Sequence, residues 1–303
     1  MIKIGVIGIG EMGKNHVRVY SELKGVKLIG VADIDETKGM EISKKYSCKY
    51  FKDYKELLKE VDAVSVVVPT FLHKEVALDA ANAGVNMLVE KPIADNIENA
   101  KKIVEACKKN RVKLMIGHIE RFNPIIPAIK KNIKDKKVFS IEITRVGPFP
   151  QRVKDVGVIV DIGVHDIDLV KYLTDSDFKE IHSLTTSTNN TQHEDIGILS
   201  FRMKNGALAQ ITTNWLTPFK VREIEISTNE NFLRGSFLDQ TLFEYSKYKE
   251  DGSYVTKQIP VKIEEPLKLE LESFIESLNN NTEPKVSGED GLKALEIALK
   301  CCK

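Results

Sequence analysis

Two short runs of this 303-residue sequence hold side chains suited to moving a proton and stabilising charge on oxygen. One is Glu90-Lys91-Pro92, where a lysine ammonium could bind a substrate hydroxyl and steady the negative charge that develops on it. The other is Asp161-Ile162-Gly163-Val164-His165-Asp166-Ile167-Asp168. Helical spacing would put Asp161, His165, Asp168 and Tyr172 on one stripe. An imidazole can take a hydroxyl proton near neutral pH, and a neighbouring carboxylate can orient it and support its cationic form. Lys91, His165 and Asp161 are therefore the catalytic candidates. Each has a plainer alternative: Lys91 as a solvated loop charge, and Asp161 as a helix cap with His165 half-buried and satisfied. No metal is expected, because His165 has no second histidine four residues on.

A third run, Gly8-Ile9-Gly10-Glu11-Met12-Gly13, follows the first apolar segment and opens an amphipathic one. Glycines at this spacing allow a tight turn and close approach of the backbone to a pyrophosphate, with the amides of a helix N-terminus facing the anion. Asp33 lies 20 residues beyond Gly13, at the end of the next apolar run, where a carboxylate can accept hydrogen bonds from the adenosine ribose. The same charge would repel a 2′-phosphate, and no arginine follows in Ile34-Asp35-Glu36-Thr37. NAD is thus the expected cofactor, with Gly8, Gly10, Glu11, Met12, Gly13, Asp33 and Ile34 around it.

These residues need a scaffold that brings strand ends and helix starts together. Apolar runs at 2–7, 26–32, 63–68, 86–89 and 112–116 alternate with amphipathic stretches, the pattern of a parallel sheet covered by helices on both faces. Gly84 is placed to end one helix in a left-handed cap, and Asp95 with Glu98 to form a capping box at the start of the next. Lys91 would then close a strand at the carboxyl edge of the sheet. After Pro124 the pattern changes. Residues 138–146 alternate, 161–174 read as a helix, and strands are expected near 179–188, 195–203, 207–215, 219–228, 231–237 and 241–248. Helices near 266–279 and 289–301 close the chain. The expected architecture is α/β: a Rossmann domain over 1–122, then an α+β domain over 123–303 with an open-faced, mainly antiparallel sheet. The closing helices are expected to pack back on the first domain.

The 45 basic and 44 acidic residues nearly cancel, and no segment is strongly basic, so neither nucleic acid nor a membrane surface is an expected partner. No window has the ~18 consecutive apolar residues of a membrane span. Cys48, Cys107, Cys301 and Cys302 form no metal-ligand spacing and read as free thiols in a reducing cytoplasm.

Taken together, the glycine loop, Asp33, Val68-Pro69-Thr70 with His73, Glu90-Lys91-Pro92 and Asp161-x-Gly163-x-His165-x-x-Asp168 resemble the Gfo/Idh/MocA oxidoreductase family nearly end to end. The resemblance implies that Lys91 and His165 are the catalytic pair and that Asp161 supports them. It also implies that Pro69, Thr70, His73, Glu90 and Lys91 line the cofactor, and that the chain forms homodimers or homotetramers. Gly117-His118-Ile119-Glu120-Arg121-Phe122-Asn123-Pro124 and the run Arg145 to Arg152 are similar to the group that oxidises the C3 hydroxyl of UDP-N-acetylglucosamine. A nucleotide sugar would be the substrate, with Arg121, Asn123, Arg145, Arg152 and Trp215 contacting it through forked hydrogen bonds and stacking. The alternatives are that Arg121 serves the cofactor side or pairs near Glu120, that Arg145 and Arg152 are solvated sheet-edge charges, and that Trp215 packs in the core. Two other functions stand beside this one: oxidation of a free polyol or monosaccharide, and a non-catalytic NAD- or sugar-sensing regulator.

Overall fold

Val- and Ile-rich runs that lack polar alternation must be covered on both faces. In the computed structural model, which describes residues 1–150, 156–188 and 193–302, they form a parallel six-stranded sheet. Its strands are β1 (Ile2–Ile7), β2 (Val26–Ala32), β3 (Lys49–Phe51), β4 (Ala63–Val66), β5 (Asn86–Glu90) and β6 (Leu114–Gly117), in the order β3-β2-β1-β4-β5-β6. The order reverses between β1 and β4, and a ligand of an open α/β sheet binds beyond the strand ends at such a point. The helices of this sheet are α1 (Glu11–Glu22), α2 (Glu36–Tyr46), α3 (Tyr54–Leu58), α4 (His73–Asn82) and α5 (Ile97–Asn110).

Gly84 takes φ +73° just after α4, and the Val85 amide reaches back to the Ala80 carbonyl, as a left-handed helix end requires. The capping box expected from Asp95 and Glu98 is corrected. The helix begins one residue later, and Asn96 caps it by accepting from the Asn99 amide at 2.9 Å. Asp95 instead accepts from the Asn99 side chain. β3 escaped the sequence reading because three residues carry no periodicity.

The second sheet has eight strands in the order β14-β13-β12-β11-β7-β10-β9-β8. They are β7 (Val138–Pro148), β8 (Phe178–Thr186), β9 (Ile196–Met203), β10 (Leu208–Asn214), β11 (Leu216–Thr228), β12 (Asn231–Ser236), β13 (Thr241–Ser246) and β14 (Thr256–Ile259). Neighbours run antiparallel except β7 and β10, which are parallel. One face is apolar, with Ile141, Ile143, Leu199, Ile211, Ile224 and Ile226 buried. Helix α6 (Ile125–Ile133) lies against β12 and β13, and α7 (Val164–Thr174) against β7 and β10. The expected helix from 161 starts differently: Ile159–Gly163 form a wide π-type turn that leads into α7. Asp161 is inside that turn, its amide donating to the Gly157 carbonyl, so it does not cap the helix.

Two compact units result: Met1–His118 with Leu267–Leu295, and Ile119–Pro266 with the chain from Glu296 onward. Most of the closing pair, α8 (Pro266–Asn279) and α9 (Gly288–Cys301), therefore groups with the parallel sheet. Glycines permit the close approach, since a Cβ at Gly288 would lie 2.6 Å from Leu114 and one at Gly291 2.7 Å from Ile116, both on β6. Phe274 of α8 is fully buried. Phe274→Ala should destabilise the protein by about 3–5 kcal/mol, read as a lower urea midpoint in an unfolding titration. A midpoint equal to wild type would mean that α8 adds nothing to the core.

Candidate active site

At the carboxyl end of β1 the chain turns through Gly8 at φ +89°, where a Cβ would meet the Val67 carbonyl oxygen at 2.6 Å. A Cβ on Gly13 would fall 2.0 Å from the Gly8 oxygen, whereas Gly10 faces open space. Helix α1 begins at Glu11 with no side chain capping its first amides. Orphan amides beside an open glycine are the features that a pyrophosphate needs, so the loop fits a dinucleotide. Asp33 braces it: one carboxylate oxygen accepts from the Ile9 amide at 2.8 Å and the other from the Asp35 amide at 2.9 Å. Each oxygen keeps a lone pair for a ribose hydroxyl. Ile34 beside it is 91% exposed, and Lys38, the nearest cation in sequence, pairs with Asp35 at 2.8 Å.

Lys91 follows β5 directly, joined to Pro92 by a cis peptide bond. The Glu90 side chain points inward. It is buried, contacts His16 Nε2 at 3.1 Å through one oxygen and accepts from the Lys91 amide at 3.1 Å through the other. Burial opposes its ionisation, but the His16 contacts and the charge and amide of Lys91 outweigh burial and hold this carboxyl below its ordinary value. His73, at the start of α4, sits with its ring between the Pro92 and Val68 carbonyls, at 3.0 and 2.9 Å. Burial pushes this imidazole below its usual value against the pull of both carbonyls. His73 thus ties the Val68-Pro69-Thr70 segment to the peptide after Lys91.

In the second unit, His165 and Asp161 are both buried on the turn and first residues of α7. Next to His165, Asp166 is fully buried and bound by Arg145 of β7 at 2.9 Å. The same guanidinium reaches Glu120 at 2.7 Å and lies over the Phe237 ring. Despite burial, the two carboxylates make it hold its proton more tightly than a free arginine. The sequence reading that gave Arg145 to a substrate diphosphate is corrected: the residue is 2% exposed and its fork is committed to carboxylates. It is not a solvated edge charge either.

Arg121 binds Asp168 through two 2.6 Å hydrogen bonds and stacks on Tyr172, an internal clamp on α7. Asn123 donates to the Phe237 carbonyl and accepts from the Ile125 amide, so it anchors the start of α6. Trp215 is buried edge-on against Phe149, the packing alternative. Arg152 lies outside the described residues. The sequence reading missed Arg222 of β11, which pairs across the sheet with Arg145. Its side chain is 32% exposed and touches Glu120 at 3.4 Å. Burial and the charge of Arg145 weaken its hold on its proton, against Glu120, Asp166 and Asp161. Only its strand register beside Arg145 could have signalled it.

A model of the Gfo/Idh/MocA oxidoreductase family, NAD-binding Rossmann fold, matches residues 2–118, and a model of the family's C-terminal domain matches 137–234. The chain belongs to the Gfo/Idh/MocA oxidoreductase family. It is 28% identical to UDP-N-acetylglucosamine 3-dehydrogenase of Acidithiobacillus ferrooxidans, over 99% of this chain and 96% of that one. Against myo-inositol 2-dehydrogenase of Thermotoga maritima the identity is 25%, over 100% and 96%. A solved structure of the Acidithiobacillus ferrooxidans enzyme matches with a TM-score of 0.93, covering 99% of this chain and 96% of that one at 28% identity.

As a member of this family the chain is an NAD-dependent oxidoreductase, and the loop from Gly8 to Gly13 with Asp33 is the part of it that fits the cofactor. Among the described residues, no helix is long and apolar enough to cross a membrane. Asp33→Ser combined with Ile34→Arg should relax the preference toward NADP, measured as the ratio of kcat/KM for the two cofactors. Equal use of both by the wild type would refute the role given to Asp33. Arg145→Ala should cost about 3–5 kcal/mol of stability, because it strands two buried carboxylates. A normal unfolding midpoint with a raised substrate KM would instead return Arg145 to the substrate.

Proposed function

We propose that the protein oxidises the C3 hydroxyl of a UDP-amino sugar, UDP-N-acetylglucosamine, to a ketone that a later amination step could convert to a 3-amino sugar. NAD⁺, when bound, supplies the hydride acceptor for the C3 hydrogen. His165 takes the hydroxyl proton, Lys91 binds the same oxygen as charge grows on it, and Asp161 supports the ring. The reverse reaction would use the same groups, so supply and demand set its direction. Subunits are proposed to assemble as dimers or tetramers, as the family resemblance implies.

The observation that favours a charged substrate over a free polyol is Arg222. It is a partly exposed guanidinium, loosely held by Glu120, within the electrostatic reach of Asp161. An uncharged ring such as inositol would have no group to satisfy it, whereas a diphosphate would accept from its fork. Similarity over nearly the full length to UDP-N-acetylglucosamine 3-dehydrogenase supports the same reading. The inositol dehydrogenase relatives supply the alternative, a free polyol or monosaccharide.

The test is an absorbance assay for NADH with UDP-N-acetylglucosamine, its uronic acid, free N-acetylglucosamine and inositol. UDP-sugars alone should give turnover, and Arg222→Ala should raise KM for them more than it lowers kcat, since phosphate anchoring is largely uniform binding energy. Turnover of inositol in preference to the nucleotide sugar would replace the proposal with the polyol reading. Lys91→Ala and His165→Ala should each lose ~10²- to 10⁴-fold in kcat with NAD affinity retained, and the double variant should be far less than additively worse. Near-normal turnover in both single variants would remove the mechanism.

A further inference from the structure

Behind Lys91 lies a line of buried polar groups that the proposed chemistry does not use. The Tyr20 hydroxyl is 2.8 Å from Ser65 Oγ, Ser65 Oγ is 3.1 Å from His16 Nδ1, and His16 Nε2 is 3.1 Å from Glu90 Oε1. His16, Ser65 and Tyr20 are all at most 1% exposed. With a neutral ring protonated on Nε2, every donor finds one acceptor in a single direction. Tyr20 donates to Ser65, Ser65 to His16, and His16 to the Glu90 carboxylate. A cationic ring makes the last donation equally well. The second oxygen of Glu90 accepts from the Lys91 backbone N–H, so the line ends on the peptide that carries the proposed catalytic ammonium.

A line of this kind is an unusual use of core volume. Four polar side chains under a parallel sheet are tolerated only when all are satisfied, and such networks strengthen along their length. The fold also makes room for the terminus: a Cβ on Gly117 of β6 would lie 3.0 Å from the Glu90 carboxylate. Other groups around the line are Lys91, His73 across from Glu90, and Glu270 of α8 near Tyr20, whose charge acts on the Tyr20 hydroxyl. Burial pushes that hydroxyl well above its usual value, which keeps it a donor.

We infer that His16 is a positioning residue for catalysis: its hydrogen bond fixes the Glu90 carboxylate, and Glu90 in turn fixes the peptide that carries the Lys91 ammonium. The inference rests on the reading of Lys91 as the oxygen-binding residue. It links the helix that starts at the cofactor loop to the residue proposed to meet the substrate.

The test compares His16→Phe, His16→Gln and Glu90→Gln in the full-length enzyme, with Lys91→Ala as reference, by kcat, KM, NAD affinity from fluorescence titration, and the pH profile of kcat. Removing the ring nitrogens leaves a buried carboxylate short of a donor, so Glu90 should protonate at higher pH. His16→Phe should therefore lower kcat ~10- to 100-fold with little change in KM, and move the acid limb of the profile upward. His16→Gln, which keeps an N–H near the Nε2 position, should restore both. In a Glu90→Gln background, His16→Phe should have no further effect on the acid limb. Equal impairment in His16→Phe and His16→Gln, or an unmoved acid limb, would reduce His16 to core packing and overturn the inference. Normal turnover in Lys91→Ala would overturn the reading beneath it, a separate result.

Discussion

The first unit depends on how closely α1 starts against β1. A Cβ at Gly13 would sit 2.0 Å from the Gly8 oxygen, so the helix can enter at this distance only where a hydrogen replaces a side chain. Two consequences follow from one contact. The first-turn amides stand uncapped at the strand end, where the sheet order reverses. One turn deeper, the same helix lies low enough on the sheet for His16 to pass over β1 and reach Ser65 on β4 and Glu90 on β5. A helix raised by one methyl group would lose both the anion-facing amides and the buried histidine contacts. The constraint that makes a dinucleotide loop thus also joins it to the Lys91 strand.

The second unit solves its positioning problem with charge. Burying an ion pair gains little stability over apolar packing of the same volume, yet breaking one is severe. Two such pairs grip α7: Asp166 is held by Arg145 from β7, and Asp168 by Arg121 from the segment after β6. The carboxylates lie one and three residues after His165 and point to different partners, so rotation or sliding of the helix would break at least one clamp. An apolar helix face could slip by a residue at smaller cost. The ion pairs therefore account for the orientation of a short helix that begins in an irregular turn.

What was legible in the sequence and what was not divide along one physical line. Backbone demands are local and leave residue-type marks: the glycines of the turn, the Val/Ile runs of a covered sheet, the alternation of β7, and Gly84 past a helix end. Side-chain partnerships are not local. Arg121 and Asp168 are 47 residues apart, Arg145 and Asp166 are 21 apart, and His16 and Glu90 are 74 apart. A sequence reader sees Arg121, Arg145 and a lone tryptophan and can assign them outward, to a ligand, as readily as inward, because their inward partners are invisible. Arg145 shows the error clearly, since the fork geometry that suits a diphosphate suits two carboxylates as well. The wide turn at Ile159–Gly163 left no mark either, as its residues are those of an ordinary helix start.

The commitments of these partners decide which carboxylate can serve His165. Asp168 stood on the same predicted stripe as the histidine, but both its oxygens are taken by Arg121 at 2.6 Å, and its charge is spent there. Asp166 is neutralised in the same way by Arg145. Glu120 and Asp166 act on the guanidinium of Arg145, and Glu120, Asp166 and Asp161 on that of Arg222. Glu120 is shared between both arginines. The proposed role of Asp161 rests on its place, buried four residues before His165, while the two acids that follow the histidine are each held by an arginine.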